Sequence, residues 1–247
     1  MKRGWTFFET RDAKRVWELC DLCYREREIG VVYGAAGVGK TESLRMYYYS
    51  HRENCAYVQV PPYIRMRQFF LLLARELGIY VSGYQSTDRI VEHIRARLEG
   101  RPDILVIIDE ADNLSITTLD TLRYIYDQKP FGLVLAGLPR LIGLLALGPE
   151  RRENLAQLYT RIAYPLRVHG PTRKEMQEIL KVLGIEDEGA QEAMIEEVQK
   201  APGSFRRFHK LYKRALYVAE INKQSINQKI ITTVSKQMSI FTGGGTR

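Results

Sequence analysis

The chain has 247 residues, a net charge of +8 and three cysteines. Its length allows one α/β domain of about 160–170 residues and a small helical one. Its apolar runs fall short of the roughly 18 residues of a membrane helix. Charged residues follow Met1–Trp5, so no signal peptide is predicted and we expect a cytoplasmic protein without a membrane partner.

The first 28 residues are predicted to form an arm and a helix. Cys20 and Cys23 form a C-x-x-C pair, but Cys55 is the remaining cysteine and no histidine lies near the pair in sequence. A structural zinc site needs four ligands. We therefore interpret both cysteines as part of a hydrophobic core.

A phosphate-binding loop follows the first predicted strand, Ile29–Tyr33, and precedes a helix predicted from Thr41 to Ser50. Every fixed position of the G-x-x-x-x-G-K-[ST] motif is met. The glycines let backbone N–H groups face the phosphates of ATP, the lysine adds a positive charge, and the threonine hydroxyl can bind Mg²⁺. The predicted nucleotide-binding residues are Gly34, Ala35, Ala36, Gly37, Val38, Gly39, Lys40 and Thr41.

Two carboxylates end another apolar segment, Ile104–Ile108, which is predicted to be a buried strand. Asp109 is predicted to hold Mg²⁺, and Glu110 to orient or deprotonate the attacking water. Asp109–Asp112 also spells the DEAD sequence of helicases. Those enzymes need a second α/β domain, which the sequence after Val168 does not predict.

Apolar segments and helical patterns alternate up to Val168, which predicts an α/β fold with a five-stranded parallel sheet. After Gly170 the pattern is helical, beginning with the capping box Thr172–Glu175. We therefore predict a nucleotide-binding base over residues 1–168 and a small helical domain over residues 169–247. The other predicted strands are Cys55–Val60, Gly132–Gly137 and Ala163–Val168.

The positive charge is concentrated at the C-terminal end. Nine lysines or arginines after position 200 stand against a single acidic residue, Glu220, so this segment carries the whole net charge. In the helix predicted over Ser204–Ile221, apolar side chains lie on one face and basic ones opposite. The basic face predicts either a polyanionic partner, most plausibly nucleic acid, or a solvated surface.

This order of motifs resembles the AAA+ ATPases, a P-loop base followed by a small all-helical lid, and within them the DNA-transposition helper group. The resemblance rests on the two nucleotide motifs, on Gln157–Ile162 and on Gly203–Arg206. It implies an ATP-hydrolysing enzyme, slow and stimulated by assembly, that uses Mg²⁺. Its implied partners are double-stranded DNA, further copies of itself in a ring or filament, and a transposase.

The resemblance also implies two arginine roles. Arg161 matches the arginine that acts in the ATP site of a neighbouring subunit, with Arg151 and Arg152 as competing candidates. Arg206 matches the lid arginine that contacts the γ-phosphate of its own subunit. Leu138 departs from the family, since a polar residue is expected after the strand that ends at Gly137, so either hydrolysis is slow or another residue takes that role.

For DNA, the resemblance points to elements after the second strand. There it implies phosphate contacts by Arg65 and Arg67, and a further contact near Tyr84. The basic helix, with Lys210 and Lys213, is the competing surface.

The sequence supports two hypotheses. The first is an ATP-dependent, sequence-nonspecific DNA-binding ATPase that assembles on target DNA and recruits or stimulates a transposase. The second is an ExeA-like ATPase that acts on a protein assembly without binding DNA.

Overall fold

The computed structural model describes residues 7–82, 84–101, 103–146, 157–200 and 204–241. One five-stranded parallel sheet is present in these residues, in the spatial order β2-β3-β4-β1-β5. The predicted parallel sheet is confirmed. Its strands are β1 (Ile29–Tyr33), β2 (Cys55–Gln59), β3 (Leu105–Asp109), β4 (Gly132–Gly137) and β5 (Ile162–Arg167).

Helices connect the strands, as parallel pairing requires. Among the described residues, six α-helices with defined bounds and a helical stretch at 157–159 precede β5, and the described chain after Val168 is helical. A 3₁₀ turn, Ala111–Asn113, follows β3. The helices are α1 (Arg11–Glu26), α2 (Lys40–Ser50), α3 (Met66–Glu76), α4 (Thr87–Gly100), α5 (Ile116–Gln128), α6 (Pro139–Ala146), α7 (Arg173–Val182), α8 (Glu188–Gln199), α9 (Ser204–Ile221) and α10 (Gln228–Phe241).

The chain divides into two compact units. The first comprises Ala13–Gly34 and Lys40–Val168, and the second comprises Met1–Asp12, Ala35–Gly39 and His169–Arg247. The division at residue 168 into base and lid stays a prediction.

In the first unit, buried side chains cover both faces of the sheet. Alternate strand residues such as Val31 and Ile108 pack in one core with side chains of α3 to α6. On the opposite face, Gly30 approaches Leu19 and Cys23 of α1. Covering on both faces explains why β1 and β4 lack charged residues and why β3 is apolar up to its last residue, Asp109.

The cysteine prediction is confirmed. Cys20, Cys23 and Cys55 are buried and free, and burial raises the pKa of Cys23 and of Cys55 to about 12. In the described residues no cluster of three or more His, Cys, Asp or Glu side chains could hold a metal ion. These thiols are therefore packing residues.

Gly30 offers a test of this packing. A Cβ there would lie 2.6 Å from Cys23 Sγ and 2.7 Å from Leu19 Cδ2, so Gly30→Ala should lower the free energy of unfolding by about 1–3 kcal/mol. Urea unfolding followed by circular dichroism measures this. The control is Gly143→Ala, in helix α6, where an added Cβ meets nothing within 4 Å. Equal stability of the two variants would contradict the packing described for β1 and α1.

Strand β5 and helix α6 differ from the sequence expectations. The fifth strand lies at the edge of the sheet, contains Pro165 and is half exposed, which suits an edge strand because proline cannot donate a ladder hydrogen bond. Helix α6 was not predicted. Its segment, Pro139–Ala146, has only 8 residues, fewer than the window of about 11–18 residues over which helical periodicity is recognised.

The second unit contains its own hydrophobic core. Helix α7 begins with the predicted capping box, in which Glu175 N–H donates to Thr172 Oγ1 and Thr172 N–H donates to the Glu175 carboxylate. The N-terminal arm joins this unit through Phe8, which packs on the core, and through Arg11 N–H, which donates to Glu175. The core is built from apolar residues of all four helices, among them Leu180, Met194, Phe208, Leu211 and Ile231.

Candidate functional site

The phosphate loop links β1 to α2. Gly37 and Gly39 have φ angles of 80° and 107°, in the left-handed region that favours glycine. Lys40 begins α2, is 8% exposed, and its Nζ donates a hydrogen bond of 2.8 Å to the carbonyl of Gly34. The loop therefore holds its lysine against its own backbone, and Thr41 follows in the first turn of the helix.

Asp109 ends β3 at the carboxyl edge of the sheet, the edge from which the phosphate loop also leaves β1. Its carboxylate is buried and accepts the Tyr57 hydroxyl at 2.9 Å and the Glu110 N–H at 2.9 Å. Burial and the charge of Asp109 raise the pKa of Tyr57. Tyr57 therefore stays a neutral donor that orients the carboxylate.

Glu110 is the most constrained residue of the site. Its backbone is left-handed, with φ 56° and ψ 36°, a conformation that costs a non-glycine residue about 1 kcal/mol. Its two carboxylate oxygens accept from Gln59 Nε2 at 3.2 Å and from Asn113 Nδ2 at 3.4 Å. Two amide groups therefore fix the position of the predicted water-activating carboxylate.

Sequence reasoning missed Tyr57, Gln59 and Asn113. A weak signal for the first two existed, because polar groups two residues apart on a predicted strand lie on the same face. That Gln59 pairs in register with Asp109 follows only from the structure. Asn113 carries no comparable signal. It reaches Glu110 because the 3₁₀ turn folds it back, where Nδ2 also donates to the carbonyl of Val60 at 3.1 Å.

Asp112 occupies the position next to Leu138, the departure noted in the sequence. Its side chain is 4% exposed and accepts the Leu138 N–H at 3.1 Å and Arg140 Nε at 2.6 Å. A Cβ on Gly137 would collide with this carboxylate. The polar group at the end of β4 is thus a carboxylate supplied by the turn after β3.

Arg161 lies in an ion-pair network within the first unit. Its Nε pairs with Asp127, and its Nη1 donates to the Gln157 carbonyl at 2.6 Å. The competing candidates Arg151 and Arg152 lie outside the described residues.

Arg206 is exposed and lies in the first turn of α9, in the same unit as residues 35–39 of the phosphate loop. The preceding N–H, that of Phe205, donates to the carbonyl of Gly37 at 3.1 Å, and a Cβ on Gly39 would lie 3.4 Å from the Phe205 ring. The start of α9 therefore rests on the phosphate loop. Gly203, part of the predicted motif, lies outside the described residues.

The residues predicted for DNA lie in different environments. Arg65, Lys210 and Lys213 are exposed, and Tyr84 is fully exposed. Arg67 is half-buried, and its Nη2 donates to the carbonyl of Gln85 at 3.2 Å, so it supports the loop that carries Tyr84.

Tyr63 lies between β2 and α3, in the segment 61–67 predicted to contact DNA, and is 99% exposed with a φ of 61°. It borders a cavity of about 760 Å³ together with Pro62, Asp112, Asn113, Arg140 and Leu144.

Residues 24–145 match the family described as the AAA domain. This part of the chain is an AAA domain. The match spans the phosphate loop, both predicted catalytic-site carboxylates and four of the five strands. The match to the AAA domain makes the chain an ATP-binding protein and an ATP hydrolase. The roles of Asp109 and Glu110 within it stay predictions.

The chain is similar to the ATP-dependent target DNA activator B of Escherichia phage Mu, at 27% identity over 95% of this chain and 74% of that protein. It is also similar to the Mu-like prophage FluMu DNA transposition protein B of Haemophilus influenzae, at 23% identity over 83% of this chain and 71% of that protein. The AAA+ resemblance to the transposition helper group is therefore confirmed.

Among solved structures, the ORC2 protein of Aeropyrum pernix has the same fold. The TM-score is 0.72 at 17% identity, and the similarity covers 95% of this chain and 70% of that chain. At this identity the likeness supports the AAA+ fold alone. In the described residues no helix is long and apolar enough to span a membrane.

Proposed function

We propose that this chain is an ATP-dependent, sequence-nonspecific DNA-binding ATPase that assembles on target DNA and recruits or stimulates a transposase. The similarity to the target DNA activator of phage Mu, over 95% of this chain, carries the proposal. A chain of net charge +8 with an exposed basic helix face supports a polyanionic partner. We place this activity in the cytoplasm, where ATP and DNA occur together.

The nucleotide chemistry follows from the loop and the carboxylates. Backbone N–H groups of residues 34–39 and the ammonium of Lys40 bind the phosphates of ATP. Thr41 and Asp109 are suited to hold Mg²⁺, because a hydroxyl and a carboxylate supply the oxygen ligands that it prefers. When bound, Mg²⁺ neutralises charge on the phosphates. Glu110, fixed by Gln59 and Asn113, orients or deprotonates the attacking water.

Two arginines link hydrolysis to assembly and to the helical lid. Arg161 acts in the ATP site of a neighbouring copy, so hydrolysis depends on the oligomer. Arg206 contacts the γ-phosphate held by the phosphate loop, and the hydrogen bond from Phe205 to Gly37 supports this because it brings the start of α9 to that loop. ATP thereby favours the assembled state and hydrolysis reverses it.

DNA binding uses the exposed basic residues. Arg65 contacts phosphates, Arg67 orders the loop of Tyr84, and the contacts are independent of base sequence, with Lys210 and Lys213 as the competing surface.

Helix α3 offers a matched pair to test this. Arg65→Ala should weaken duplex binding and lower the slope of log affinity against log salt by about 0.9, as expected for one lost phosphate contact. Arg75→Ala removes an exposed arginine at the other end of the same helix, whose guanidinium pairs with Glu76, and should change neither quantity. Fluorescence anisotropy at several salt concentrations measures both slopes, and equal slopes for the two variants would remove Arg65 from the DNA surface.

The function as a whole is tested by ATP hydrolysis measured against protein concentration, with and without random-sequence duplex DNA. The proposal predicts that the rate per protomer rises with concentration and rises further with duplex. A hydrolysis rate that changes with neither protein concentration nor duplex DNA would overturn the proposal. A rate that rises with concentration but ignores DNA would support an ATPase acting on a protein assembly instead.

A further inference from the structure

An ion-pair network lies between helix α5 and residues 157–161, all within the first unit. The Arg123 guanidinium donates to Asp120 Oδ1 at 2.9 Å and to Asp127 Oδ2 at 2.7 Å. The other oxygen of Asp127 pairs with Arg161 Nε. Two arginines and two aspartates thus alternate in one chain of contacts.

The network is partly shielded from water. The side chains of Arg123, Asp127 and Arg161 are 17%, 22% and 33% exposed. Charges in such positions are screened less by salt than those of fully exposed pairs. The contact between Asp127 and Arg161 therefore restricts the arginine more than a surface pair would.

The atoms used by Arg161 suggest orientation rather than sequestration. Carboxylates that capture an arginine fully commonly bind two of its N–H groups with both oxygens. Here Asp127 takes only Nε with one oxygen, because its second oxygen binds Arg123, and Nη1 donates to the Gln157 carbonyl. Within the described part of the chain, the Nη2 group makes no hydrogen bond and stays available for a ligand.

We propose that Asp127 is a positioning residue for Arg161: it holds the Nε side of the guanidinium so that the Nη2 end points to the phosphates of a neighbouring copy. This inference rests on the proposed function of Arg161 in the neighbour's ATP site. Arg123 holds Asp127 in turn. An arginine held in this way loses less conformational freedom when it contacts the phosphate. Without Asp127 the arginine keeps its charge but is misaligned, and the hydrolysis rate falls.

Oligomers mixed from two variants distinguish the protomer that supplies Arg161 from the protomer whose ATP site receives it. A Glu110→Gln protomer has lost its own hydrolysis but keeps Arg161 for its neighbour. An Arg161→Ala protomer keeps its own Glu110 but gives no arginine. Mixed on duplex DNA, the two should hydrolyse ATP about tenfold faster than either variant alone. Absence of this rescue would remove the proposed role of Arg161, and the inference with it.

The decisive donor carries both Glu110→Gln and Asp127→Asn. Mixed with Arg161→Ala protomers, this donor should give a hydrolysis rate about tenfold lower than the Glu110→Gln donor gives. As a receiver, the Asp127→Asn single variant should hydrolyse ATP normally beside Glu110→Gln protomers, which give it an intact arginine. A misfolded variant would lower the hydrolysis rate both as donor and as receiver, whereas a positioning defect lowers it only when the variant is the donor.

Asp120→Asn provides the matched control. Asp120 contacts Arg123 without touching Arg161, so a donor with Glu110→Gln and Asp120→Asn should rescue fully. The Glu110→Gln donor must still rescue hydrolysis. If the donors with Asp127→Asn and Asp120→Asn then rescue equally well, Asp127 does not position Arg161, and the function of Arg161 itself is unaffected.

Discussion

Replacing Glu110 with glutamine should slow ATP hydrolysis by at least about a hundredfold while ATP binding remains. The two side chains have the same shape, but the amide cannot accept a proton from the attacking water, and general-base catalysis contributes about 10²–10⁴-fold to a rate. The carboxylate is held from both sides by Gln59 and Asn113. We therefore expect the rate of phosphate release to fall by at least about a hundredfold, which is the lower bound of that range.

The measurement is phosphate release at saturating ATP, beside titration with a fluorescent ATP analogue. Glu53→Gln, an exposed acid outside the site, is the matched control and should retain full activity. An unaltered hydrolysis rate in the Glu110→Gln variant would mean that another group acts as the base, and the buried Asp112 carboxylate would be the next candidate.

Replacing Lys40 with alanine should remove ATP binding itself. Lys40 is 8% exposed and already lies inside the loop against Gly34, so its charge meets the phosphates with little rearrangement. Hydrogen bonds between charged groups contribute about 1.5–3 kcal/mol each. Loss of one or two of them predicts an affinity for ATP at least about tenfold lower.

Thermal unfolding with increasing ATP checks this result. A ligand that binds the folded state raises the melting temperature, so ATP should stabilise the native chain and leave Lys40→Ala unchanged. Lys174→Ala, at an exposed lysine of helix α7, should be stabilised as the native chain is. Stabilisation of the Lys40→Ala protein at the same ATP concentrations would contradict the role of the lysine.

Local patterns account for the elements that sequence reasoning found. Strands β1, β3 and β4 are buried on both faces, so they appear as apolar runs, and the phosphate loop is a single segment of eight residues. The capping box at Thr172 is equally local. Each of these features is encoded by residues next to one another in the chain.

The features that sequence reasoning missed depend on distant residues. Gln59 and Glu110 lie 51 positions apart, and Asp127 and Arg161 lie 34 apart. Their contacts exist only because the sheet brings the carboxyl ends of β2 and β3 together, or because α5 packs beside the segment before β5. Arg67 shows the same limit, since its half-burial depends on the carbonyl of Gln85 in a separate loop.

ATP is expected to control the binding of this chain to DNA. Fluorescence anisotropy with a random-sequence duplex tests it directly, in the presence of ATP, a slowly hydrolysed analogue, ADP or no nucleotide, at two salt concentrations. We predict tight, salt-sensitive binding with ATP or the analogue and weak binding with ADP or without nucleotide. Equal binding in all four states would reduce the basic surface to nucleotide-independent electrostatics, and no binding in any state would contradict a function on DNA.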